Sequence, residues 1–66
     1  MKLTINGTAA ELPDEHTIAS LLESRGLKPS RVVVELNGEI ADSAKWTITT
    51  LREHDRIELI SFVGGG

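Results

Sequence analysis

The residues with the most pointed chemistry are the last five of the sequence, Phe62-Val63-Gly64-Gly65-Gly66. Three consecutive glycines lose the most backbone freedom on ordering, so they do not build a packed element. They read as a bare, narrow, flexible strip ending in an α-carboxylate. From Phe62 onward it reaches roughly 15–18 Å when extended. A strip without side chains threads a channel that any Cβ would block. Its carboxylate can then enter another protein's active site while the globular body stays outside. An α-carboxylate of ordinary pKa, about 3.3–3.7, is ionised at neutral pH and acylates poorly. It needs activation, most simply by ATP to an acyl-adenylate, after which a sulfur or nitrogen nucleophile attacks Gly66. Sulfur at that position gives a thiocarboxylate. The chain has no cysteine, so the sulfur comes from outside. An inert tail has the same composition. A reactive one is favoured by the apolar strand that runs straight into the glycines.

Little else in the sequence points to chemistry. Without cysteine there is no thiolate nucleophile, no zinc thiolate and no disulfide. His16 and His54 are too few for a histidine metal cage, and the carboxylates show no spacing that demands acid–base work. No catalytic residue and no metal ligand is therefore assigned. Seven basic residues stand against ten acidic, a net charge of −3, which argues against nucleic acid as a partner. Trp46 and Phe62 are the only aromatic residues, too few for base stacking. No apolar run approaches the roughly 18 residues of a membrane span. The opening Met1-Lys2-Leu3-Thr4-Ile5-Asn6-Gly7 lacks the h-region of a signal peptide. The expectation is a cytoplasmic protein, and one with no enzyme pocket of its own.

A chain of 66 residues allows one domain, which buries only about 60% of the surface its unfolded chain exposes. Leu3 and Ile5 alternate with polar neighbours, Asn6-Gly7 supplies a type I′ turn, and Thr8 to Leu12 returns as the second strand of a hairpin. Thr17 is an N-cap for a helix over Ile18 to Arg25, with Ile18, Leu21 and Leu22 on one face and Gly26 at its end. A helix of two turns must pack on a sheet. Arg31 to Asn37 reads as a β-branched strand, and Asn37-Gly38 turns into Glu39-Ile40. Asp42 to Trp46 reads as a short capped turn, Thr47 to Leu51 as a weak strand, and Arg56 to Phe62 as the last strand.

This order predicts an α+β domain over residues 1–62, a small mixed sheet with one main helix on one face, and a flexible tail over 63–66. The compact solution sets the first and last strands parallel at the centre: the β-grasp, or ubiquitin-like, arrangement. Leu3, Ile5, Ile18, Leu21, Leu22, Val34, Leu36, Ile57 and Leu59 then form the core, each contributing about 1.5–3 kcal/mol when fully buried. Trp46 reads as a lid over it, and the two histidines as surface turn residues. Ile60 and Phe62 fall on the opposite face from Ile57 and Leu59. With Val63, and with Val33 from the third strand, they are candidates for a partner-docking patch beside the tail. Glu35, Glu58 and Asp55 suit basic groups on a partner, but a solvated face is the simpler account.

Leu36-Asn37-Gly38-Glu39-Ile40, Trp46, and Asp55 through Gly66 carry a resemblance that spans essentially the whole chain. The sequence resembles the thiamine-pathway sulfur carriers of the ThiS family, and Thr17 to Leu22 fit as well. One position departs from that pattern. Relatives commonly have glycine before the aspartate of the last turn, where this chain has His54, a residue type that tolerates positive φ. The resemblance implies that Gly66 is adenylated by a ThiF-like adenylyltransferase using ATP, with no cofactor bound to the carrier itself. Gly66 is then converted to a thiocarboxylate by a sulfur donor system. A ThiG-like thiazole synthase takes the sulfur into the thiazole ring, and Gly64 and Gly65 form the threading arm. The carrier is a co-substrate and not an enzyme. The tail chemistry alone equally suits a carrier for another product such as molybdopterin, or a ubiquitin-like protein modifier. A β-grasp interaction module with an unreactive tail is the alternative of another class.

Overall fold

The computed structural model describes residues 1–62, so Val63, Gly64, Gly65 and Gly66 lie outside the described residues. Two Asn-Gly dipeptides fold the strands back on themselves. Asn6 and Gly7 have φ of 52° and 79°, and Asn37 and Gly38 have 53° and 87°. Two successive positive φ values are what a type I′ turn requires, and its twist matches that of the flanking strands. The first turn joins β1 (Lys2–Ile5) to β2 (Thr8–Glu11), and the second joins β3 (Val32–Leu36) to β4 (Glu39–Ile40). The last strand, β5 (Arg56–Ser61), lies between the hairpins, parallel to β1 and antiparallel to β3. The sheet order is β2-β1-β5-β3-β4, the expected β-grasp arrangement.

Among the described residues one α-helix forms, α1 (Ile18–Ser24), and its apolar face joins the core of the sheet. Its start is fixed by the Thr17 hydroxyl, which accepts a hydrogen bond from the Ser20 N–H at 3.1 Å. Its end is a Schellman motif. The Leu27 N–H donates to the Leu22 carbonyl and the Gly26 N–H to the Glu23 carbonyl, with Gly26 at φ 68°, as left-handed C′ residues do. Ile18, Leu21 and Leu22 are buried against Leu3, Ile5, Val34, Ile57 and Leu59. Trp46 is buried as a lid, its indole N–H donating to the Ala41 carbonyl at 3.1 Å. The short capped turn before it is a 3₁₀ turn over Ser43–Lys45, where Asp42 accepts from the Ala44 N–H.

Three expectations are corrected. Thr47 to Leu51 does not form a strand of the sheet. Its backbone bonds to the helix entry instead, Ile18 N–H to the Thr49 carbonyl and Leu51 N–H to the His16 carbonyl, leaving one isolated bridge between Thr17 and Thr50. Leu51 is thereby held in the buried core. Leu36, expected in the core, is only half-buried because it sits at the strand end beside the Asn37-Gly38 turn. His16 is not a surface turn residue: it is half-buried, with Nε2 enclosed and without a hydrogen-bond partner. His54 keeps the last turn at φ 69°, as a residue tolerant of that region can.

Candidate functional site

The candidate site is the C-terminal end of β5 with the sheet face turned away from α1. β5 is the central strand and carries the chain toward the glycines. It is held on both sides well beyond its strand pairs. On the β1 side, pairing stops at Ile5–Ile57, where the chain turns away at Asn6. The Asn6 side chain replaces the missing strand: its Oδ1 accepts from the Leu59 N–H at 2.7 Å, while its own N–H donates to the Ile57 carbonyl at 2.8 Å. On the β3 side the Asn37 Oδ1 accepts from the Arg56 N–H at 2.8 Å, and the Asn37 amide donates to Asp55 at 3.0 Å. Both turn asparagines therefore also satisfy backbone groups of β5. At the far end the ladder with β3 runs to Val32–Ser61, and the Phe62 N–H donates to the Arg31 carbonyl at 2.8 Å.

The alternation along β5 places the predicted residues as expected. Ile57 and Leu59 are buried, while Ile60 is 44% and Phe62 58% exposed. Ile60 lies directly opposite Val33, which is half-buried, so these two share the outer face. Phe62 borders a depression of about 260 Å³ at the sheet end, together with Leu27, Lys28, Arg31 and Ser61. Val63, Gly64, Gly65 and Gly66, the remaining predicted site residues, lie outside the described residues.

Two features of this face escaped the sequence reading. Ile40 is 74% exposed and lies opposite Glu35, beside the Val33–Ile60 pair. The Asn37-Gly38 turn was the signal that could have placed it there, since a two-residue hairpin fixes the register. The second is that Glu35 also lies directly opposite Glu58 on β5. That pairing needed the β3–β5 register, which no local turn specifies.

The described residues present a hydrogen-bonded strand end and, beside it, an apolar patch. Among the described residues no helix is long and apolar enough to cross a membrane.

Comparison with known proteins agrees over the whole length. Residues 3–66 match the model of the ThiS family. The chain is 42% identical over 53 residues to the sulfur carrier protein ThiS of Bacillus subtilis, covering 80% of each chain. It is 33% identical over 66 residues to a thiazole synthase of Paramagnetospirillum magneticum; all of this chain is covered, but it spans only 20% of that protein's length. Its fold matches the crystal structure of the thiamine biosynthesis protein ThiS of Geobacter metallireducens, with a TM-score of 0.84 and 32% identity over 100% of both chains.

Proposed function

The chain belongs to the ThiS family, and we propose that it serves thiamine biosynthesis as a sulfur carrier through the carboxylate of Gly66. The observation that carries this reading is the end-to-end match, in fold and at 32% identity, to a thiamine biosynthesis ThiS protein. The strand end supports it. Hydrogen bonds fix β5 as far as Phe62, and the glycine strip follows directly in the sequence.

An adenylyltransferase joins the Gly66 carboxylate to the α-phosphate of ATP, and pyrophosphate leaves. Hydrosulfide released by a donor system then attacks the Gly66 carbonyl and AMP leaves, so that one carboxylate oxygen has been replaced by sulfur and the proton goes to solvent. The thiocarboxylate sulfur attacks the electrophilic substrate held by thiazole synthase; water then cleaves the acyl–sulfur bond, so the sulfur stays with the product and the carrier returns as carboxylate. This makes the carrier a co-substrate that binds no cofactor and is regenerated each cycle, in the cytoplasm. Gly64 and Gly65 are the threading arm, and Ile60, Phe62, Val63 and Val33 dock the partner.

The test is an intact mass taken after incubation with ATP, a ThiF-like adenylyltransferase and a sulfur donor. Replacement of one oxygen by one sulfur at the terminus supports the reading, and an unchanged mass overturns it. Deleting Gly66 abolishes loading and leaves the urea midpoint where it was. Capture by thiazole synthase against molybdopterin synthase separates the thiamine pathway from its alternative.

A further inference from the structure

The outer sheet face contains an arrangement that the fold does not need. Glu35 on β3 and Glu58 on β5 lie directly opposite each other. Opposed residues of an antiparallel pair hold their Cβ atoms about 4.5–5.5 Å apart, where like charges are destabilising. Arg56 shares this face two residues along β5, but among the described residues neither glutamate is in an ion pair; the pair found is that of the Met1 ammonium with Asp14. The carboxylates are bracketed by apolar side chains. Ile40 lies across from Glu35, and the Val33–Ile60 pair lies one outward step along the same strands. A partner covering this patch excludes water from around the two charges, which strengthens their attraction to any cation set between them.

We propose that the Glu35–Glu58 couple, framed by Ile40, Ile60 and Val33, is the recognition element for an arginine that a protein partner presents within an apolar surface. A guanidinium suits the place better than an ammonium. It is planar, always charged, and offers five donors in a fixed fork, enough to engage two carboxylates together. The partner is the thiazole synthase. This rests on the carrier reading, and its ground is that all 66 residues of this chain are matched within a single polypeptide named thiazole synthase, of which they span 20%. Repulsion between the glutamates in the free protein then becomes specificity. The couple is relieved when the right cation arrives, and a partner without one is disfavoured.

The experiment compares the wild type with E35Q, E58Q and the double variant, all as full chains. Glutamine keeps the shape and removes the charge. Urea unfolding of the free proteins is expected to give midpoints equal to or above the wild type. Calorimetric titration of unloaded carrier into thiazole synthase is expected to show binding weakened by at least about tenfold in the double variant, with a flatter dependence on ionic strength. I60A, which keeps both charges, weakens binding but retains the wild-type salt dependence. Double-variant binding at wild-type strength overturns the proposal, as does a lowered urea midpoint, which would make the couple structural. Loading by the adenylyltransferase, read by intact mass, keeps the two readings apart. A wild type that loads but does not bind thiazole synthase sinks this inference alone, and one that does not load sinks the carrier reading and this inference with it.

Discussion

Replacing Asn6 by glycine separates the two tasks that this residue performs. At φ 52° it sits where glycine is relaxed and where asparagine is tolerated better than most residues, so glycine gains little in the turn itself. Glycine also widens the unfolded ensemble, which costs about 0.4–1 kcal/mol and offsets that gain. What remains is the lost acceptor. The Leu59 N–H donates to Asn6 Oδ1 at 2.7 Å, and Leu59 is 9% exposed, so water replaces the oxygen poorly. Leaving such a donor unsatisfied costs about 1–3 kcal/mol. N6G is therefore expected to be less stable by about that amount, and each kcal/mol lowers Tm by about 4–8 °C in a domain of this size. N6D keeps an oxygen in place and a residue type that accepts positive φ, so it loses less than N6G. The assay is urea unfolding followed by the fluorescence of Trp46, with hydrogen exchange at the Leu59 amide as a local readout. Lost protection at Leu59 beyond the global change marks the broken bond. An N6G protein as stable as the wild type, or more so, refutes the claim that Asn6 holds β5, and leaves it a turn residue only.

Three further perturbations address the same framework. T17A removes the acceptor for the Ser20 N–H and is expected to lower stability by about 1 kcal/mol, with T17S restoring most of it in the same urea assay. W46A empties a buried site and removes the bond to the Ala41 carbonyl; at about 3–5 kcal/mol it leaves a domain this small largely unfolded, seen as lost chemical-shift dispersion, while W46F remains folded with a lower midpoint. At Gly26 an added Cβ meets nothing within 4 Å, so G26A is charged only with holding φ 68°, about 1–2 kcal/mol. A thermal melt showing G26A unchanged would mean that the helix end relaxes out of the left-handed conformation.

Most of the framework was legible because the signals were local. Asn6-Gly7 and Asn37-Gly38 specify turns whose backbone sign only a few residue types accept. Thr17 and Gly26 bound a helix too short to exist without the sheet, and alternation along β5 separated Ile57 and Leu59 from Ile60. Where the reading failed, the competing partners were distant in sequence. Thr47 to Leu51 has strand-like residues, but its backbone groups pair with His16 and Ile18, more than thirty positions away. Leu51 is buried for the same reason, and Leu36 is left half-buried by its place at a strand end; Val32, by contrast, shares the inner face of β3 with Val34, as alternation alone implies. Of the candidate site, the outward placing of Ile60 was legible from period two, whereas Gly66 and its arm, singled out by composition, lie outside the described residues.

Local signals specified the parts: two hairpin turns, one capped helix, an apolar last strand and the glycines after it. Glycine and asparagine set backbone sign wherever they stand, and a period of two or 3.6 sorts side chains without any knowledge of neighbours. What those parts face follows from the assembled sheet alone. Setting β5 between β1 and β3 brought Glu35 against Glu58 and Asn6 against the Leu59 N–H, because strand register is set by the packing of the whole core and not by any residue of the pair.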